Sequence, residues 1–248
     1  MRLTIVGCGD AFGSGGRANT CYWLDGPGGS IALDFGATSL VELKRRGLGH
    51  DRLDAIVLSH LHGDHFGGLP FLLLESQFVV GRTRPLTILG PPGTTARVKA
   101  ASDVFFPGCS QIPWSFPLRI VDLPCGEPTT LDGGIAIETR EVIHPSGGPP
   151  TAVRLSWGGR VLAFSGDTSW TDALIEVAAG ANLFIVECYM PDGDPVAHGT
   201  MATIDANRDR LGAERIMLTH MGDAMLRRMD EARARGFLVA HDGLVIDV

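Results

Sequence analysis

The segment "SHLHGDH", residues 59–65, constrains this chain more than any other part of its sequence. Three imidazoles and one carboxylate lie within six positions, directly after the apolar run "LDAIVL". A short apolar run of this kind is typical of a buried strand, so the polar side chains belong to the loop that follows it. Histidine nitrogens and carboxylate oxygens are the ligands that zinc and similar divalent ions prefer where no thiolate is offered. The segment therefore predicts a metal site.

The spacing within the segment favours two ions over one. His60 and His62 are two positions apart, so both can point toward one ion from a loop that leaves a strand. Gly63 then gives the backbone room to turn and to aim Asp64 and His65 elsewhere. One ion with about four to six ligands does not need four donors this crowded, whereas two ions that share the loop use them all.

Further donors occur where three later strands are predicted to end. His144 ends "IETREVIH", Asp167 ends "VLAFSGD", and His220 ends "RIMLTH". Side chains at the ends of strands along one edge converge in space, and a carboxylate can bridge two ions about 4 Å apart. A single histidine would usually be a core or surface residue. The combination of all seven donors predicts a two-metal hydrolytic centre.

Composition excludes several classes of protein. No stretch is long and apolar enough to suggest a transmembrane helix, and the opening lacks the pattern of a signal peptide, so a cytoplasmic protein is expected. The five cysteines never form a C-x-x-C pair, which argues against a disulfide framework and a cysteine-rich zinc site. The formal net charge of −7 disfavours a large nucleic-acid footprint. No linker or tandem repeat is evident, which favours one domain over residues 1–248.

Strand-like and helix-like segments alternate in two successive blocks, before and after about residue 130. This pattern predicts an α+β fold with two sheets face to face and helices on their outer surfaces. Continuous helices are expected over "TMATIDANRDRLG" and "DAMLRRMDEARARG". The ending "FLVAHDGLVIDV" contains an Asp-Gly pair between apolar runs and predicts a hairpin.

The chain resembles the metallo-β-lactamase-fold hydrolases over essentially its whole length. The resemblance rests on "LDFG", "SHLHGDH", His144, "SGDT" and "LTH", in the order of that family. It implies a four-layer αββα sandwich with metals at one edge. It also implies that the first ion is held by His60, His62 and His144, that the second is held by Asp64, His65 and His220, and that Asp167 bridges them. Asp34 of "LDFG" matches an aspartate that supports the histidine loop, although a plain turn role is an equal alternative.

Within that family, "LTIVGCGDAFGS", "PLTILGPPGT" and "VECYMPDGDPVAHGTM" resemble ribonuclease Z and small phosphodiesterases. The resemblance implies that His198 donates a proton to the leaving oxygen and that Glu187 orients it. Histidine titrates near neutral pH, which suits a general acid. A metal-activated water would attack phosphorus, with Asp64 as a further acceptor for its proton. A purely structural role for His198 at the start of a helix is the alternative.

Only 22 residues separate His144 from Asp167, which is enough for a hairpin but not for the long arm with which ribonuclease Z grips tRNA. A phosphodiesterase for small or cyclic phosphodiesters is therefore expected. The alternatives are a lactone or thioester hydrolase of the same fold, a tRNA 3′-end endonuclease, and a non-enzymatic metal-binding protein. Zinc suits the donors, while manganese and iron also fit. The branch implies a homodimer.

A few other residues have open interpretations. The segment from Phe105 to Pro117 fits either a pocket wall with Trp114 against the substrate or a packing or dimer surface, and the second is favoured. His50 is expected in a solvated loop. His241 fits either a position at the site or one at the surface, and the surface is favoured. Arg17 and Asn19 could contact a substrate phosphate or cap a turn.

Overall fold

Two seven-stranded sheets form the centre of the computed structural model, which describes residues 1–248. The first sheet has the order β14-β1-β2-β3-β4-β5-β6. Its strands are β1 Arg2–Gly7, β2 Cys21–Gly26, β3 Gly29–Leu33, β4 Leu53–Val57, β5 Leu86–Gly90, β6 Leu118–Asp122 and β14 Val245–Asp247.

The second sheet has the order β13-β12-β11-β10-β9-β8-β7. In both sheets the strands pair antiparallel at one end of the order and parallel at the other. The strands of the second sheet are β7 Thr129–Leu131, β8 Ile135–Glu141, β9 Thr151–Trp157, β10 Arg160–Phe164, β11 Leu183–Glu187, β12 Ile216–Thr219 and β13 Leu238–Val239.

Nine short α-helices accompany the sheets, and a π-helical turn, Ser76–Val80, follows the third of them. The two long helices expected near the end of the chain are each divided in two. Asn207 interrupts the first, and its side chain donates to the carbonyl of Thr203. Arg228 interrupts the second with a non-helical backbone (φ −112°, ψ 13°). The helices are α1 Ser39–Arg45, α2 Gly63–Phe66, α3 Leu69–Glu75, α4 Thr94–Phe105, α5 Ala173–Ala178, α6 Met201–Ala206, α7 Arg208–Leu211, α8 Asp223–Leu226 and α9 Met229–Ala234.

Three apolar clusters show why the molecule has four layers. One lies between the sheets, and the other two lie between each sheet and its outer helices. Strand β3 illustrates the division, since Ile31 and Leu33 face the opposite sheet while Ala32 faces the helices. Side chains alternate between the faces of a strand, so a strand buried on both faces is apolar throughout. The expected αββα sandwich is confirmed.

The hairpin predicted at the end of the chain is wrong. Strand β13 pairs with β12 in the second sheet, whereas β14 pairs with β1 in the first. The Asp-Gly pair does not close a two-residue turn, because the carboxylate of Asp242 accepts hydrogen bonds from the backbone of Cys8 and Ala18. The amide of Gly243 donates to the carbonyl of Ile5. These bonds hold the segment against the first sheet and direct β14 to its edge.

Two other expectations are met. Between His144 and Asp167 the chain forms β9 and β10, which pair as a hairpin with no arm. No helix of the structure has the length and apolar character needed to cross a membrane. Strands β3, β4, β8, β10, β11 and β12 all end at the same edge of the sandwich, and the loops that follow them carry the polar residues described next.

Candidate metal centre

Three histidines predicted to share an ion lie together at this edge. His60 and His62 come from the loop after β4, and His144 comes from the segment after β8 in the opposite sheet. Their candidate donor nitrogens all lie within 4.8 Å of one another. Nε2 of His144 is 3.1 Å from Nδ1 of His62. Such a group of converging nitrogens can hold a divalent ion.

A second group of donors lies beside the first. It contains Asp64, His65, Asp167 and His220, all of which are buried. Nε2 of His65 is 3.3 Å from Oδ2 of Asp64, and Nε2 of His220 is 3.2 Å from the same oxygen. Asp64 and His65 lie in the short helix α2, which begins at Gly63, and the ring of His65 lies 4.0 Å from that of His60.

Asp167 stands between the two groups. Its Oδ2 lies 3.9 Å from Nε2 of His60 and 4.0 Å from Nε2 of His144. The same carboxylate lies 3.2 Å from Nε2 of both His65 and His220. One carboxylate within reach of both histidine groups has the position of a bridging ligand.

Buried hydrogen bonds to Nδ1 hold the histidine rings of this centre in place. Nδ1 of His65 donates to Oδ2 of Asp34 at 2.7 Å. Asp34 also accepts from the backbone and hydroxyl groups of Ser59, both at 2.7 Å. Since the Ser59 hydroxyl donates to Asp34, its oxygen is left to accept from Nδ1 of His60 at 3.1 Å. Each bond fixes a tautomer and leaves Nε2 to face the centre. Asp34 thus supports the histidine loop.

Backbone conformation marks the same place. Asp34, Ala197 and His220 are the three non-glycine residues with positive φ, at 57°, 62° and 54°. A left-handed backbone is unfavourable for a residue with a Cβ atom and persists where the surroundings hold it. All three residues adjoin the histidine groups, so the local strain of this fold is concentrated at the candidate centre.

The two groups differ in charge. Although burial opposes it, the carboxylates of Asp167 and Asp64 raise the pKa of His220 to about 10. Burial also opposes protonation of His65. The carboxylates of Asp167, Asp34 and Asp64 outweigh burial and raise the pKa of His65 well above its usual range. Burial and the neighbouring His65 hold the pKa of His60 well below it. The carboxylates of the second group therefore favour positive charge there, whereas His60 in the first group is held as a neutral imidazole.

The residues present fit divalent metals. Nε2 of His60 and Nε2 of His65 are buried and have no hydrogen-bond partner. An unpaired buried polar atom is costly, and metal coordination is one way to satisfy it. Both atoms point into the donor groups described above. The donor set contains nitrogen and oxygen and no sulfur, which suits zinc, manganese or iron.

Glu187 and His198 form a pair beside the second group. Glu187, at the end of β11, is buried, and its Oε1 accepts from Nδ1 of His198. Its other oxygen accepts from the backbone of Thr168 at 2.6 Å. The side chain of His198 is 24% exposed, and its ring stacks 5.8 Å from that of His220. Although burial opposes it, the hydrogen bond and charge of Glu187 raise the pKa of His198.

The remaining predictions have mixed outcomes. His50 is 5% exposed and not at the surface, because it packs beside Ser76 and Glu75 under the π-helical turn. His241 is exposed, as expected. Nη1 of Arg17 donates to the carbonyl of Ala240, and Nδ2 of Asn19 donates to the backbone carbonyl of Asp10, so both residues join loops.

The segment from Phe105 to Pro117 is divided between core and surface. Trp114 packs beside Phe116, which is buried among the helices over the first sheet. Phe105 is 52% exposed and lies 5.6 Å from the ring of Phe71. These contacts favour the packing role over a pocket wall.

Sequence reasoning missed two supports of the centre. Ser59 stands inside the first segment analysed, yet its role depends on the position of Asp34, which is 25 residues away. Ala197 contributes only its carbonyl oxygen, which accepts from Nδ1 of His144 at 2.9 Å. No side-chain pattern could have indicated a role that belongs to the backbone.

Comparison with known proteins agrees with this geometry. Protein ML1173 of Mycobacterium leprae is 31% identical over 236 residues, which cover 89% of this chain and 78% of that protein. The probable metallo-hydrolase YhfI of Bacillus subtilis is 26% identical over 230 residues, or 89% of this chain and 87% of that one.

Solved structures show the same fold. The crystal structure of YhfI, described as a metallo-β-lactamase-fold protein, superposes with a TM-score of 0.76 over 99% of both chains at 24% identity. Human tRNase Z, short form, superposes with a TM-score of 0.80 over 100% of this chain and 99% of that chain at 23% identity.

The metallo-hydrolase relatives and the clustered donors identify a metal-dependent hydrolase. The family model described as "Anti-Pycsar protein Apyc1" matches residues 1–243. The chain therefore belongs to the family of the Anti-Pycsar protein Apyc1.

Proposed function

We propose that this protein is a phosphodiesterase for small or cyclic phosphodiesters, built as one domain over residues 1–248. The pair of Glu187 and His198 carries the proposal. An alkoxide leaving from phosphorus needs a proton, and a histidine with a raised pKa keeps one at neutral pH. The buried carboxylate of Glu187 fixes Nδ1 of this histidine, so Nε2 is the atom that can donate.

The same proposal assigns the metal ligands. His60, His62 and His144 would hold the first ion, Asp64, His65 and His220 would hold the second, and Asp167 would contribute to both. We propose zinc for both positions, with manganese or iron as substitutes, because the donors are imidazoles and carboxylates. When bound, the ions supply an activated water and neutralise charge on the phosphoryl oxygens.

The chain's own residues perform the rest. Asp34 and Ser59 orient the rings of His65 and His60. His65 and His220 hold the pKa of Asp64 low despite burial, so its carboxylate stays ionised and is available to a metal ion. His198 delivers its proton to the departing oxygen. The hairpin of β9 and β10 in place of a tRNA-binding arm, together with the charge of −7, favours a small substrate over a nucleic acid.

The test compares two diesters whose leaving groups differ in their need for a proton. Bis(p-nitrophenyl) phosphate releases a stable phenolate, whereas an alkyl diester releases an alkoxide. His198→Gln should lower kcat on the alkyl diester by about 100-fold or more and should affect the aryl diester much less. His241→Gln, at an exposed histidine, is the matched control. Equal losses on both substrates, or turnover confined to lactones and thioesters, would reject the proposal.

We also propose that the protein acts as a homodimer through an apolar surface formed by α3, the π-helical turn and the end of α4. Phe78 and Val79 are 67% and 73% exposed, and Val104 is 78% exposed. Apolar patches of this kind mark interaction surfaces. Light scattering should give a dimer mass for the wild type and a monomer mass for a Phe78→Ser, Val104→Ser variant. A monomeric wild type would refute the assignment.

A further inference from the structure

Ala197 lies in the loop between β11 and α6 and has a left-handed backbone with φ of 62°. This conformation is unfavourable for an L-residue, and only glycine, asparagine and aspartate adopt it readily. The loop does contain glycines, Gly193 and Gly199, but the left-handed position next to His198 holds alanine. A backbone outlier beside an active site calls for a functional explanation.

The carbonyl of Ala197 gives that explanation. It accepts the hydrogen bond from Nδ1 of His144 at 2.9 Å. No other hydrogen-bond acceptor contacts this nitrogen, so the orientation of the ring depends on one backbone oxygen. With Nδ1 engaged, Nε2 of His144 faces the first donor group, 3.1 Å from Nδ1 of His62.

The same peptide unit leads directly into His198. The carbonyl of this unit accepts a hydrogen bond from His144, and the side chain of His198 is hydrogen-bonded to the buried Glu187. The rings of His144 and His198 lie 5.0 Å apart. Val196, on the other side of Ala197, is 88% exposed and gives the loop no packing. The link between the two histidines therefore depends on the backbone of Ala197.

We propose that Ala197 is a positioning residue whose left-handed backbone fixes the positions of His144 and His198 relative to each other. Rotation of this residue into an extended or right-handed conformation would turn the carbonyl away from His144. That ring would then be free to rotate, and His198 would move with the peptide. The effect on His144 concerns metal binding alone, whereas the effect on His198 rests on the phosphodiesterase function proposed above.

Two substitutions separate backbone conformation from side-chain bulk. Ala197→Val introduces a β-branched residue, which resists the left-handed region. Ala197→Asn also enlarges the side chain but introduces a residue that tolerates this region. Ala197 is partly exposed.

The first measurement is zinc affinity, by competition with a chromophoric chelator, for protein whose fold is checked by circular dichroism. We expect Ala197→Val to weaken the first zinc site about tenfold, in the range found for groups that orient a ligand. Ala197→Asn should stay near the wild type. The second measurement is the ratio of kcat on alkyl and aryl diesters, which should fall only for the valine variant.

Equal zinc affinities for the valine and asparagine variants would overturn the proposal. If the valine variant fails to fold, Ala197→Gly provides the test. Glycine adopts the left-handed region without the penalty that alanine carries, so first-site affinity should match or exceed that of the wild type, and a lower affinity would overturn the proposal. Zinc affinity needs no substrate, so a failure of the phosphodiesterase function would leave this result intact.

Discussion

At the scale of the residue, the centre depends on which nitrogen of each histidine is held from behind. His65, His60 and His144 each have Nδ1 engaged, by Asp34, Ser59 and the carbonyl of Ala197. The three supports differ in chemistry: a carboxylate, a hydroxyl and a peptide oxygen. Only the carboxylate adds negative charge, so the rings are oriented alike but do not hold protons alike.

This difference predicts stepwise metal loading with pH. In the metal-free protein His220, with a pKa raised to about 10, holds a proton at neutral pH, and His65 does the same. A metal must displace those protons, so affinity at the second site should rise steeply with pH. His60, whose pKa is lowered, offers little competition at the first site. Zinc titrations at pH 6 and pH 8 should show a much larger gain at the second site; equal gains would contradict this account.

At the scale of the element, the start of α6 explains the sequence "HGTM". Thr200 is the N-cap of this helix, and its hydroxyl accepts from the backbone of Thr203 at 3.2 Å. Glycine at position 199 lies close to the carbonyl of Glu187, where a side chain would collide. The N-cap of the helix is therefore fixed two residues after His198.

Loss of this cap should cost stability. Thr200→Ala removes the hydroxyl and should lower the free energy of unfolding by about 1 kcal/mol, whereas Thr200→Ser retains the cap and should cost less. Urea denaturation measures both variants. A serine variant as unstable as the alanine variant would show that packing of the threonine methyl, and not the cap, is responsible.

At the scale of the whole molecule, both proposed metal sites join the two sheets. Each combines donors from the loop after β4 with donors from loops of the second sheet. A metal at either position would therefore act as a cross-link between the halves of the sandwich. Because the donors would not be assembled in the unfolded chain, binding free energy adds to folding free energy.

Metal removal should thus destabilise the fold. With zinc at about 1,000 times its dissociation constant, each site should add about 4 kcal/mol to the free energy of unfolding. Urea denaturation with zinc and with a chelator measures this difference. Asp167→Ala should lose most of it, because that carboxylate reaches both groups. A chelator without effect on the wild type would contradict a structural contribution from the metals.

A feature of the fold or of the candidate site could be predicted from the sequence where it depends on local side-chain patterns, and not where it depends on contacts between distant residues. The donors and the αββα layers follow from side chains and apolar runs, which are local. The paths of β13 and β14 do not, because an Asp-Gly pair is a good hairpin turn and only contacts of Asp242 with Cys8 and Ala18 override it. His50 was misplaced for a similar reason, since the helical turn that covers it lies some 26 residues away.

The pairing of β1 with β14 also bears on how the protein folds. β1 precedes the other strands described, and β14 follows them. Until β14 docks, the outer edge of β1 presents unpaired backbone groups, and such an edge can pair with a strand of another chain. A molecule in which β14 has not docked would thus hold nearly all of its core but an open sheet edge. Slow docking of residues 245–247 would favour aggregation more than loss of the metal centre.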